Sequence, residues 1–177
     1  PEKTLDDLFP EVPHLRIRPA RLRNPRIGIH ADPTHYNGYV ILASYFLRYK
    51  RFLDYNNIPF KIINLRKSDW LDQCKDIDIL VASYASEPSR LNELQAKIGI
   101  LEQYHGIMCY PSAKDLWSYE DKTRNYYLVN EYGLKHARTF ISHDHEEALD
   151  FVRTAEYPLI SKIKTGSGSR GVELVKN

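Results

Sequence analysis

Gly166, Gly168 and Gly171 stand at G-x-G-x-x-G spacing near the end of the chain, in "YPLISKIKTGSGSRGVELVKN" (157–177). Glycines at such spacing let backbone amides approach phosphate oxygens with no Cβ in the way, and Ser167 and Ser169 add hydroxyl donors. Several phosphate loops share the spacing, and their flanks tell them apart. A dinucleotide fingerprint needs a helix after the loop, whereas "VELVKN" is β-branched and has no helix start. A Walker loop ends in Gly-Lys-Ser or Gly-Lys-Thr, and this one ends in Arg170-Gly171. A kinase loop has its phosphate lysine on the following strand, whereas here Lys162 and Lys164 come before it. The reading left is a hairpin whose glycine turn folds over a triphosphate, with alternate lysines on one strand face. Lys164 also reads as an exposed strand residue.

The elements that must position this loop fall into two kinds. "RIGIHA" (26–31), "FKIINL" (60–65), "IDILVAS" (77–83) and "IMCYP" (107–111) read as short buried strands. Helical spacing runs from Tyr39 to Asn56. A second helix starts at Ser86 and Pro88, repeats Leu91, Leu94, Ile98 and Leu101, and stops at Gly106. Strands alternating with helices predict a doubly wound, mostly parallel α/β sheet over 26–117. Residues 1–25 read as a tail. From 118 onward the pattern turns α+β. A helix is expected over 118–133, with Ser118 followed by Asp121 as its N-cap signal and Gly133 as its stop, and a strand over 137–142. A helix over 144–155 should open on an Asp144/Glu147 capping box, before the two strands of the hairpin.

Here the residues resemble the ATP-grasp ligases, of the kind that includes ribosomal-protein glutamate ligases and D-alanine–D-alanine ligases. The strand "YPLISK" running into a Gly/Ser loop and a Gly-Val strand is similar to that family's signature. "EDK" at 120–122 is similar to its earlier phosphate-lysine site, and "YGLKHART" to the turn between them. The α/β part up to "GIMCYPSAKDLW" resembles the domain that precedes the ATP-grasp half. The likeness spans residues 26–177. It implies an ATP-dependent carboxylate–amine or carboxylate–thiol ligase acting through an acylphosphate. Lys122, Lys162, Gly166, Ser167, Gly168, Ser169 and Gly171 would hold ATP, and the two Mg²⁺ ions would be held by a second half not in this stretch. This stretch alone is then expected to be inactive, an interrupted ATP-grasp subdomain behind its α/β partner.

An acceptor, small molecule or peptide, is expected at the carboxyl edge of the first sheet. "HADPTHYNGY" offers His30, Asp32, His35, Tyr36 and Asn37 there, with a plain polar surface loop as the alternative for each. A different functional class stays open: a non-catalytic nucleotide- or sugar-binding α/β module.

The formal charge of +2 on 177 residues singles out no partner. Arginines 16, 18, 21, 23 and 26 form a basic comb, but no aromatic residue is interleaved to stack bases, so nucleic acid is not expected. No apolar run approaches the ~20 residues of a membrane span. The two cysteines, Cys74 and Cys109, read as free buried thiols, which favours the cytoplasm. His143 and His145 diverge at a helix start and read as solvated rather than metal-binding. The oligomeric state is left open, a homo-oligomer included.

Overall fold

The computed structural model describes residues 24–31, 45–83, 88–166, 168–169 and 171–176. The chain divides into two compact units, Pro1–Tyr84 with Glu93–Ala113, and Ala85–Asn92 with Lys114–Asn177.

The first unit is α/β. Its strands are β1 (Ile27–His30), β2 (Phe60–Ile63), β3 (Ile79–Val81) and β4 (Met108–Tyr110), all parallel, in the order β2-β1-β3-β4. Helix α1 (Tyr45–Tyr55) links β1 to β2, α2 (Trp70–Cys74) precedes β3, and α3 (Pro88–His105) leads to β4. The part of the first expected helix before Tyr45 lies outside the described residues. Parallel strands almost always join by right-handed crossovers, so leaving β1 in one direction and returning in the other puts α1 on the opposite face from α2 and α3.

Burial follows that division. On the face of Gly28, His30, Ile63, Leu80 and Cys109 every strand residue but the edge Lys61 is buried, with Ile98 and Leu101 of α3 also fully enclosed. A Cβ on Gly28 would run into the Cδ1 atoms of Ile63 and Ile77, the far ends of side chains that would then have to shift. The other face is buried at its centre, where Ile29 is enclosed, and open at its rims, where Ile62, Met108 and Tyr110 are exposed. Cys74 and Cys109 are free and buried. Burial pushes their thiols up to about 11 and about 12, which keeps them unreactive.

Arg26, last arginine of the basic comb, is committed to the fold. Its backbone amide, Nε and Nη2 all donate to the Asp78 carboxylate, at 2.8, 3.1 and 2.7 Å, tying the start of β1 to the start of β3. The other four arginines of the comb lie outside the described residues. The guanidinium holds Asp78 down to about 2, through its side-chain hydrogen bond first. A carboxyl depressed in the folded state stabilises the fold fully above its ordinary range, and that contribution is lost as pH falls through about 2. Asp78→Asn is therefore expected to flatten the acid limb of the stability profile below pH ~4 while changing its slope little near neutrality. Denaturant midpoints measured from pH 7 to pH 2 check this.

The second unit is sparsely covered. It holds α4 (Ala113–Ser118, from Lys114 on), α5 (Lys122–Glu131), α6 (His145–Thr154) and the antiparallel pair β5 (Leu159–Lys162) and β6 (Val172–Val175). No residue of α5 or α6 is buried, and the cross-strand pair Ile160 and Leu174 is more than half exposed.

Three expectations need correction here. The helix expected over 118–133 is split: α4 ends at Ser118, Glu120 turns with φ 54°, and Asp121 is the N-cap of α5. Asp121 wins because its carboxylate accepts the Arg124 amide at 2.9 Å, while the Ser118 hydroxyl is turned to the Asp115 carbonyl. The strand expected over 137–142 is absent, since no neighbouring strand pairs with it among the described residues. Phe140 instead stacks on Phe151 of α6, centroids 4.0 Å apart. At α6 the cap is Asp144, accepting from Glu147 N at 2.8 Å, but the box closes differently: the Ser142 hydroxyl serves both the Asp144 amide and the Glu147 carboxylate. His143 and His145 are exposed, and no group of three metal-ligating side chains occurs among the described residues.

Candidate functional site

The second unit places the glycine loop on a hairpin. Lys162 pairs with Val172 at the end of β5, and the Ile163 amide donates to the Gly171 carbonyl at 2.9 Å, closing the turn at its base. Within the turn Gly166, Gly168 and Gly171 have φ of 125°, 63° and 62°, and Ser169 joins them at 60°. Ser167 and Arg170 lie outside the described residues.

Gly171 is needed twice over. Its φ is left-handed, and a Cβ would meet both Cγ1 and Cγ2 of Ile163, at 2.6 and 2.8 Å, so no single side-chain rotation clears it. Gly168 has open space at the same position. Gly171→Ala is thus expected to destabilise the hairpin by about 2–3 kcal/mol, and Gly168→Ala by about 1 kcal/mol from backbone strain alone. Hydrogen-exchange protection across β5 and β6 checks the difference.

The start of α5 is fastened to this loop. The Lys122 amide donates to the Lys164 carbonyl at 2.9 Å, and its Nζ donates to the Gly166 carbonyl at 3.0 Å. Asp121 and Thr165 form an isolated antiparallel bridge. The Asp121 side chain is only 7% exposed and faces two cations, Lys164 Nζ at 3.5 Å and Arg124 Nε at 3.3 Å. Arg124 in turn lies over the Trp117 ring at 5.0 Å and donates to the Trp117 carbonyl at 2.7 Å.

Residues about 40 apart in sequence are therefore one site. Lys122, Lys164 and Gly166 meet directly, and Lys162 is exposed one residue before the loop closes. Lys164, which also reads as an exposed strand residue, lies past the end of β5 and is the lysine that Asp121 engages. Alternation along the strand does not reach it, because the strand stops at Lys162. Asp121 as a buried hub was not legible either; its only signal was the acid in "EDK".

Chemically the arrangement offers the Lys122 ammonium on the Gly166 carbonyl and the Lys164 ammonium on the enclosed Asp121 carboxylate beside a turn of glycines, with Lys162 exposed at the end of β5. That suits a polyphosphate, which takes charge from lysines and hydrogen bonds from backbone amides. A divalent cation accompanying such a ligand finds no cluster of three acid, histidine or cysteine ligands among the described residues, so nothing is routed through one.

In the first unit, His30 ends β1 and is buried at 5% exposure. Its Nδ1 lies 3.3 Å from both the Leu65 amide and the Ile63 carbonyl, so it accepts from the first in one tautomer and donates to the second in the other. Asp32, His35, Tyr36 and Asn37 lie outside the described residues. Compared with known proteins, the chain matches no family model and no curated protein.

Proposed function

We propose that the second unit binds the triphosphate of ATP, and that the chain serves an ATP-dependent carboxylate–amine or carboxylate–thiol ligase of the ATP-grasp kind. Lys122 and Lys162 neutralise phosphate charge, and the Gly166–Gly171 turn closes over the phosphates. In the proposed reaction a carboxylate oxygen attacks the γ-phosphorus and ADP leaves. The nucleophile then attacks the acyl carbon and displaces inorganic phosphate. Positioning and charge neutralisation are most of what a protein contributes to such a transfer. For this chain by itself the reading is nucleotide binding.

The observation that carries the reading is the contact of Lys122 Nζ with the Gly166 carbonyl. It puts a lysine from a helix start at a glycine hairpin 44 residues on, where a dinucleotide or Walker loop would have a helix instead. The test is calorimetric titration of the chain with ATP, ADP and AMP. The account expects affinity to fall in that order, with ATP binding at about millimolar or tighter. AMP binding as well as ATP, or no ATP binding by a folded chain, would contradict it.

A further inference from the structure

Lys164 stands outside the phosphate contacts assigned to Lys122 and Lys162, yet its ion pair leaves its donors unused. The ammonium lies 3.5 Å from the Asp121 carboxylate, on a side chain 54% exposed. Charge-assisted N–H···O bonds run at about 2.7–2.9 Å, so this contact holds the ammonium by charge without taking a hydrogen. A lysine carries three donors, and Lys164 Nζ makes no hydrogen bond among the described residues.

Arg124, the other cation on Asp121, is committed elsewhere as well. Besides the carboxylate at 3.3 Å it holds the Trp117 carbonyl at 2.7 Å and lies over the Trp117 ring. One enclosed carboxylate thus serves two cations, and the fixed one balances it. The charge of Lys164 is left over at the seam where residues 121–122 meet 164–166. Lys122 adds a second, since its Nζ rests on the neutral Gly166 carbonyl. No acid offsets the two. The first turn of α5 has none, residues 165–171 include none, and Glu120 and Glu173 pair with neither lysine among the described residues. Like charges at one seam repel each other, and a phosphate bound there turns the repulsion into attraction.

On the triphosphate reading of this turn, we infer that Lys164 is a third phosphate ligand, with Asp121 as the positioning residue that keeps its ammonium at the seam. A lysine loose in solvent loses side-chain entropy when a phosphate immobilises it, and one already held by a carboxylate loses less. Asp121 repels the same ligand through its own charge. Its net effect on binding therefore depends on whether Lys164 is there to be held.

The test is calorimetry of the full chain with ATP at fixed ionic strength, paired with thermal melts. Lys164→Met should weaken ATP binding about tenfold or more, and Lys164→Arg should stay within about threefold of the unmodified chain. Tm should move by no more than about 2 °C in either, because the ion pair is exposed on the lysine side. Asp121→Asn should cost at least about threefold more affinity with Lys164 present than in the Lys164→Met background, where only the loss of a repelling charge remains. An unmodified chain that binds ATP while Lys164→Met binds it equally would overturn the inference and leave the triphosphate reading standing. Equal effects of Asp121→Asn in both backgrounds would overturn it too, as would a Lys164→Met loss of affinity matched by a drop in Tm. No ATP binding by the folded, unmodified chain would overturn the triphosphate reading and this inference with it.

Discussion

Lys122→Met is expected to lower the affinity for ATP about ten- to a hundredfold while leaving the fold nearly as stable. A hydrogen bond between an ammonium and a phosphate is worth about 1.5–3 kcal/mol, which is that range in binding. The structural role of the side chain is smaller, since Nζ meets one backbone carbonyl, Gly166, from a half-buried position. The link between α5 and the hairpin that does not need the side chain, Lys122 N to Lys164 O, survives the substitution. Lys122→Arg keeps the charge and should fall between the two. Calorimetry with thermal melts separates the effects: a loss of affinity matched by a loss of stability would mean that Lys122 acts only as a structural tie.

Asp121 should show the reverse pattern. Asp121→Ala is expected to destabilise the second unit by about 2–3 kcal/mol. It removes the N-cap bond to Arg124 and leaves Lys164 and Arg124 without their shared carboxylate. Both cations are partly exposed, so water compensates some of the loss, and the larger penalty of a buried orphan charge does not apply. Asp121→Asn keeps a capping oxygen and loses only the ion pairs, so about 1 kcal/mol is expected. Hydrogen-exchange rates of the α5 amides check both variants. Equal losses for Ala and Asn would place the stabilisation in the charges rather than in the cap.

The parts of the fold legible in sequence are those where one short segment carries its own signal. Four short apolar runs became the four parallel strands. The 3.6-residue spacing of Leu91, Leu94, Ile98 and Leu101 became the buried stripe of α3. A Gly stop did mark the end of α3 at Gly106 and of α5 at Gly133, with φ of 63° and 60°. The five-residue α2 escaped notice because it is too short to show a period. Residues 137–142 have strand-forming side chains, but a strand also needs a neighbour, and propensity says nothing of that.

The site was half legible for the same reason. The glycines, Lys162 and "DK" are local patterns, and they pointed to a loop and a lysine from elsewhere. What joins them is contact across more than 40 residues: Lys122 on Gly166, and Asp121 on Lys164.

The most direct test is protection of lysines from acylation in the intact chain, mapped by mass spectrometry with and without ATP. The account predicts that ATP slows modification of Lys122 and Lys162 and leaves Lys61 and Lys67 of the first unit unchanged. Modification of Lys122 and Lys162 at the same rate with saturating ATP, or protection confined to the first unit, would contradict a triphosphate site at the glycine hairpin.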